Sequence, residues 1–223
     1  MTEEEWINET SPGTLVEAVR RRTRFRNEVT ARKSRLAACA ILRLVIPHTT
    51  ETSWMEPIEV AELYADGRAR FAEIVKAIES STETILGGST WCTSHTALQC
   101  LTQADPLDSA YRAGTEADRF LELTPEGRTE DKASMLRTDT AHILHDLFGN
   151  PFRPVAFDPN WRTSTVVSIA QGVYETRDFA PMPILADALQ DAGCEHADIL
   201  DHCRGAGPHV RGCWVVDLVL GKA

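Results

Sequence analysis

Ala31-Arg32-Lys33-Ser34-Arg35-Leu36-Ala37-Ala38-Cys39-Ala40-Ile41-Leu42-Arg43-Leu44-Val45-Ile46-Pro47 decides the fold class. Its apolar residues recur at helical spacing, with Leu36, Cys39, Ala40, Leu42, Leu44 and Val45 on one face. Pro47 ends it, because proline lacks the N–H that would extend the ladder. Working outward, similar patterns predict helices within residues 3–22, over 56–65 and 69–79, around Thr93 to Leu101, and over 106–121 and 130–148. Residues 80–90 read as a Ser/Thr/Gly-rich loop and Thr124-Pro125-Glu126-Gly127 as a turn. Gly149 and Pro151 fit a helix stop followed by a chain that cannot continue the helix.

Beyond that stop, a Pro-punctuated crossing from Asn150 to Trp161 leads to further helices. Thr163 or Ser164 caps one with Val166, Ile169, Ala170 and Val173 as its stripe. Pro183 opens the next, and Asp198 to Cys203 forms a short one. His209 to Leu220 is expected as the last helix, although its run of Val215, Val216, Leu218, Val219 and Leu220 also suits a buried strand. The expectation is an all-α chain: a single helical bundle domain over residues 1–223, divisible into N-terminal helices (1–80) and a C-terminal module (130–223).

Length and charge set bounds. The 223 residues suffice for a core that needs no disulfides. Lys and Arg number 23 against 33 Asp and Glu, a net charge of -10. An acidic chain lacks the basic footprint of a nucleic-acid or anionic-membrane binder. The acidic start, Met1-Thr2-Glu3-Glu4-Glu5-Trp6, is unlike a secretory leader and points to the cytoplasm, where the six cysteines stay reduced.

Several segments resemble a large paralogous family of planctomycete proteins of the Gemmata type. They are Met1-Thr2-Glu3-Glu4-Glu5-Trp6, Ala31 to Leu36, Val60-Ala61-Glu62-Leu63-Tyr64-Ala65-Asp66-Gly67, Gly149-Asn150-Pro151-Phe152-Arg153-Pro154, Ile184 to Leu189 with Ala192-Gly193-Cys194, and His209-Val210-Arg211-Gly212-Cys213-Trp214. The resemblance implies a discrete C-terminal module and carries no activity with it. Family members often have a cysteine-rich second helix, of which only Cys39 is present here.

Three groups carry candidate chemistry. Cys194, His196, His202, Cys203, His209 and Cys213 offer thiolates and imidazoles, the ligands of zinc, although no Cys-x-x-Cys is present. His202 and Cys203 are adjacent and do not readily face one ion; buried thiols in a core fit the same residues. Asp139, His142 and Asp146 share a helix face at spacings of three and four, suited to a divalent metal or an acid–base pair, or to a solvated face. Arg20, Arg21, Arg22, Arg24, Arg26, Arg32, Lys33 and Arg35 reverse the local field, and could dock an acidic protein partner or pair with the chain's own acidic helices. A further set, Arg153, Arg162, Arg204 and Arg211 beside Trp161, Trp214 and Phe152, could build a ligand pocket by Arg–Trp stacking, but is rather expected to lock the Pro-rich crossing by bonding carbonyls and Asp187, Asp198 or Asp217. Nucleophile motifs are lacking: Cys92, Ser94-His95 and Cys100 have no third partner. Two functions follow from these residues. One is a non-enzymatic helical interaction or scaffold domain without cofactor. The other is a metal-binding hydrolase or regulator, using zinc or another divalent ion.

Overall fold

The computed structural model describes residues 1–22, 28–46, 54–83, 98–103, 106–121 and 129–222. Among them are eleven α-helices and no strand: α1 (Glu3–Asn8), α2 (Pro12–Arg22), α3 (Glu28–Val45), α4 (Met55–Ala65), α5 (Phe71–Glu83), α6 (Pro106–Leu121), α7 (Glu130–Phe148), α8 (Ser164–Thr176), α9 (Met182–Asp191), α10 (Ala197–Arg204) and α11 (Trp214–Leu220). The chain is all-α. None of these helices is long and apolar enough to cross a membrane. The helix expected near Thr93, the turn at Thr124 to Gly127 and most of the loop expected over 80–90 lie outside the described residues. The chain divides into two compact units, Glu3–Leu144 and His145–Ala223.

In the first unit α3 is central. It packs most extensively on α6 and then on α4. Leu36 to Leu42 is buried without interruption, so the single apolar face expected from sequence becomes a helix covered all round. Small residues allow this: Ala37, Ala38 and Ala40 on α3, and Ala110, Ala113 and Ala117 on α6, are all buried. Two ion pairs tie α3 to α4. Arg32 Nε lies 3.0 Å from Asp66 Oδ1, and Arg43 Nε lies 3.1 Å from Glu62 Oε1. Arg35 is buried, donates to the Leu101 carbonyl at 3.3 Å and stacks over the Tyr64 ring at 4.7 Å.

The second unit has its own core, formed by Val166, Ala170 and Val173 of α8, Leu185 and Leu189 of α9, Ile199 and Cys203 of α10, and Val215, Val216 and Val219 of α11. Thr163 caps α8, its hydroxyl accepting from Val166 N at 3.3 Å. The irregular crossing is satisfied by local side chains, Asn150 Oδ1 accepting from Phe152 N and Asp158 Oδ1 from Asn160 N, each at 2.9 Å. Arg162 donates to the carbonyls of Val219 at 3.0 Å and Leu218 at 2.8 Å. Arg153 pairs with Asp198 at 3.6 Å and Arg204 with Asp187 at 3.0 Å. The last segment is a helix, as expected, but it starts at Trp214 rather than His209. Gly212 at φ 95° and Cys213 at φ -41°, ψ 130°, both outside the helical region, break any helix before that point.

Gly149 ends α7 at φ 61°, and its N–H bonds the His145 carbonyl at 2.9 Å. A Cβ there would lie 3.1 Å from Trp214 Cγ, whereas at Gly67, with φ 70°, it would meet nothing within 4 Å. Gly149→Ala is therefore expected to destabilise by roughly 2–4 kcal/mol, the left-handed cost plus overpacking. Gly67→Ala should cost only about 1 kcal/mol. Urea unfolding of the two variants checks the difference.

Candidate metal centre

Four side chains of the second unit converge. Asp146 comes from the last turn of α7, His202 from α10, His209 from the loop after α10, and Cys213 from the N-cap of α11. One ligand atom from each lies within 4.8 Å of all the others. His209 Nδ1 is 2.8 Å and His202 Nε2 3.0 Å from Asp146 Oδ1. His202 Nε2 is also 3.1 Å from Cys213 Sγ. The other carboxylate oxygen, Oδ2, accepts from Val210 N at 2.9 Å, which fixes the carboxylate plane. Asp146 is 1% exposed and Cys213 0%.

Local sequence explains the directions. His202 and Cys203 are successive on α10, so helical phase sends them apart: Cys203 enters the apolar core and His202 faces the cluster. The His202 ring lies 5.1 Å from the Trp214 ring and 4.9 Å from that of His209, which limits its rotation.

Hydrogen bonding alone serves this geometry poorly. His202 Nε2 touches two acceptors, Asp146 Oδ1 and Cys213 Sγ. One N–H directs its proton at one of them only. If the sulfur instead donates to Nε2, the nitrogen turns a lone pair toward the carboxylate. His209 Nε2 is buried without a partner. A Cys-His-Asp nucleophile relay does not fit either. A relay needs the thiol on one ring nitrogen and the carboxylate on the other, and here both meet Nε2.

The four donors lie close enough to one another to be tested against the dimensions of a cation site. Zinc bonds of about 2.0–2.3 Å imply tetrahedral edges of roughly 3.3–3.8 Å, so the closest donors need to move apart by only a few tenths of an ångström. Nitrogen and sulfur donors suit zinc, whereas magnesium and calcium prefer oxygen.

The environment shifts both acidic members of the cluster. Burial pushes the Asp146 carboxyl up, but hydrogen bonds from His202 and His209 and their charges outweigh it and hold the carboxyl below its usual range. Burial drives the Cys213 thiol well above its ordinary value, and the Asp146 charge adds to this. The amides of Val216 and Val215 pull it back in part. A raised thiol is the reverse of an activated nucleophile. A divalent ion inverts this logic and removes the thiol proton.

The other expected residues lie elsewhere. His142 is exposed and Asp139 half-buried on α7, whereas Asp146 is buried, so the expected trio does not close on one point. Cys194 and Cys203 are buried core thiols; burial pushes the Cys203 pKa up to about 12. Among the basic residues, Arg32, Lys33 and Arg35 are turned inward rather than forming a surface stripe. Arg20 pairs with Asp108 at 2.8 Å, Arg21 pairs with Glu17 at 2.8 Å, and Arg22 is exposed. Arg24 and Arg26 fall outside the described residues, as do Cys92 and Ser94-His95.

Sequence reading named all four converging residues but put Asp146 in a different group. A signal was present: a carboxylate in the last turn of a helix opposes the macrodipole, which favours cations there. No protein-family model, curated protein or solved structure matches the chain.

Two outcomes are expected of this chemistry. Cys39, Cys100, Cys194, Cys203 and Cys213 are all buried with raised pKa values. At about pH 8 they should react with Ellman's reagent at least roughly a hundredfold more slowly in the native chain than in guanidinium. In metal-free protein the lowered Asp146 pKa contributes stability above the carboxylate range, and that stability is lost as pH falls through the folded-state value. Acid unfolding followed by near-UV circular dichroism should therefore be shallower in Asp146→Asn than in the parent.

Proposed function

We propose that this is a non-enzymatic helical protein whose C-terminal unit is a metal-binding module, holding one divalent cation through Asp146, His202, His209 and Cys213. The observation that supports the reading is the convergence of four donors of suitable kind within 4.8 Å, two of them fully buried. Zinc is the cation that this set favours.

The role is structural. Four protein donors fill a tetrahedral shell, whereas a hydrolytic zinc keeps one position for water or substrate. This separates the module from a metal hydrolase built on the same residues. The resemblance to the planctomycete family acquires a physical content on this reading. Its motif His209-Val210-Arg211-Gly212-Cys213-Trp214 carries two of the four donors, and Gly212 supplies the turn that lets Cys213 face back toward His209.

Elemental mass spectrometry of untagged protein should find about one zinc per chain. Cys213→Ser, His202→Ala and His209→Ala should each weaken binding at least about a hundredfold, while Cys194→Ser, Cys203→Ser and His142→Ala leave it unchanged. Cobalt(II) in place of zinc should give intense tetrahedral d–d bands and a thiolate charge-transfer band. Metal retained in Cys213→Ser, or a weak octahedral cobalt spectrum, would count against the site.

A further inference from the structure

A cavity of about 210 Å³ opens within the first unit, on residues separate from the four converging donors. The start of α2 supplies Pro12 and Gly13, α6 supplies Tyr111 and Gly114, and α7 supplies Leu136, Arg137 and Thr140. The sequence keeps this space open. Gly114 lies in the middle of α6, where glycine is disfavoured relative to alanine, and its φ is not positive. A Cβ there would meet Thr140 Cγ2 at 3.7 Å, an ordinary contact. Neither backbone strain nor a close approach calls for glycine at 114, and what it provides is room. Across the cavity a Cβ on Gly13 would lie 3.3 Å from Tyr111 Cε2, so glycine here lets the ring stand close over the α2 backbone. That ring is 52% exposed, an aromatic wall open to solvent.

The polar groups of the lining are few and point to one kind of ligand. The Thr115 hydroxyl is spent on the Tyr111 carbonyl at 3.1 Å. Thr140 is 1% exposed, yet its hydroxyl has no hydrogen-bond partner, a cost that a valine of the same shape would not carry. Arg137 is exposed and pairs through one Nη with Glu130 at 2.7 Å, an ion pair open to solvent and so weakly held. A guanidinium has five N–H donors, most of which this pair leaves unused. Arg137 and Thr140 are three positions apart on α7 and line the same cavity, so a single carboxylate reaches both. The first turn of α2 adds the positive end of a helix at Gly13. The rest of the wall is apolar, and its volume decides the size of what enters. A dry cavity of about 150 Å³ already holds benzene, so this one takes a single six-membered ring with a small substituent.

We propose that this cavity is a binding site for a monocyclic aromatic carboxylate, with the ring between Tyr111 and Leu136 and the carboxylate on Arg137 and Thr140. The ring displaces solvent from the Tyr111 face, and offset stacking favours an aromatic over an aliphatic ring of the same size. One carboxylate oxygen accepts from the guanidinium and the other from the Thr140 hydroxyl, which thereby gains its missing partner. The first unit is then a small-molecule sensor domain, independent of the cation proposed for the second.

Titration of the full-length chain with sodium benzoate, followed by calorimetry and by amide NMR shifts, tests this. A ligand so small is expected to bind with a dissociation constant on the order of 0.1–1 mM, moving the amides of Gly13, Gly114 and Thr140. Benzyl alcohol, which keeps the ring, and acetate, which keeps the charge, should each bind at least roughly tenfold more weakly. Thr140→Val and Arg137→Gln should each weaken benzoate about tenfold. Thr140→Val is close to isosteric and Arg137 is exposed, so both variants should keep the parent circular dichroism spectrum and melting temperature. Gly114→Leu should fill the cavity and abolish binding, and Cys213→Ser should leave it unchanged. No saturable binding below about 10 mM would overturn the proposal. So would acetate or benzyl alcohol binding as tightly as benzoate, or undiminished binding in folded Thr140→Val and Arg137→Gln.

Discussion

The Asp146 carboxylate is the constraint around which the second unit is arranged. A buried ionised carboxylate is tolerable only if its lone pairs are met. Here a backbone amide meets one oxygen and two imidazoles meet the other. Those partners come from α10 and from the loop that follows it. The need to satisfy one charge therefore dictates where α10, the loop and α11 lie with respect to the end of α7. It also produces the density of donors on which the metal-binding proposal rests.

The first unit solves a different problem. α3 is buried on every side, yet it carries Arg32, Ser34 and Arg35. Asp66, the Leu101 carbonyl and the Tyr64 ring answer the two arginines. Together with Arg43 and Glu62 these contacts place two charge pairs between α3 and the C-terminal part of α4. Apolar packing alone would allow α4 to slide or turn against α3. Two charge pairs about three helical turns apart on α3 fix its register. Breaking either would leave an uncompensated charge at low exposure, the costly case for partly buried pairs.

Much of the helical content was legible in the sequence because its signals are local. The bounds of α6 and α7, the Thr163 cap and the stop at Gly149 follow from periodicity and capping chemistry. The burial of α3 was not legible. Periodicity reports an apolar face, and alanine reads as neutral until a second small-residue helix is known to lie against it. Pairing of the basic run within the chain was one of its two readings, but the individual partners were not legible, because those of Arg32 and Arg35 are distant in sequence, at Asp66 and Leu101. The donor cluster was legible as a list of residues but not as a set. Asp146 and His209 are separated by 63 positions, and the i, i+4 spacing of His142 and Asp146 suggested a nearer partner. Which of His202 and Cys203 faces the cluster is a matter of helix phase against the core, which no local pattern encodes.

Arg162 has a wider meaning than its two hydrogen bonds suggest. It places a guanidinium on the last carbonyls of α11, while the first amides of the same helix face the Cys213 sulfur. A two-turn helix so held has acceptors or donors from flanking groups at both of its ends. It is mechanically a strut: its length is fixed, and its two sockets belong to different segments. The turn Pro159–Trp161 carries Arg162 at its end, so it meets one end of this helix while the sulfur meets the other. The irregular crossing and the donor cluster are therefore coupled in position through a helix that neither of them contains.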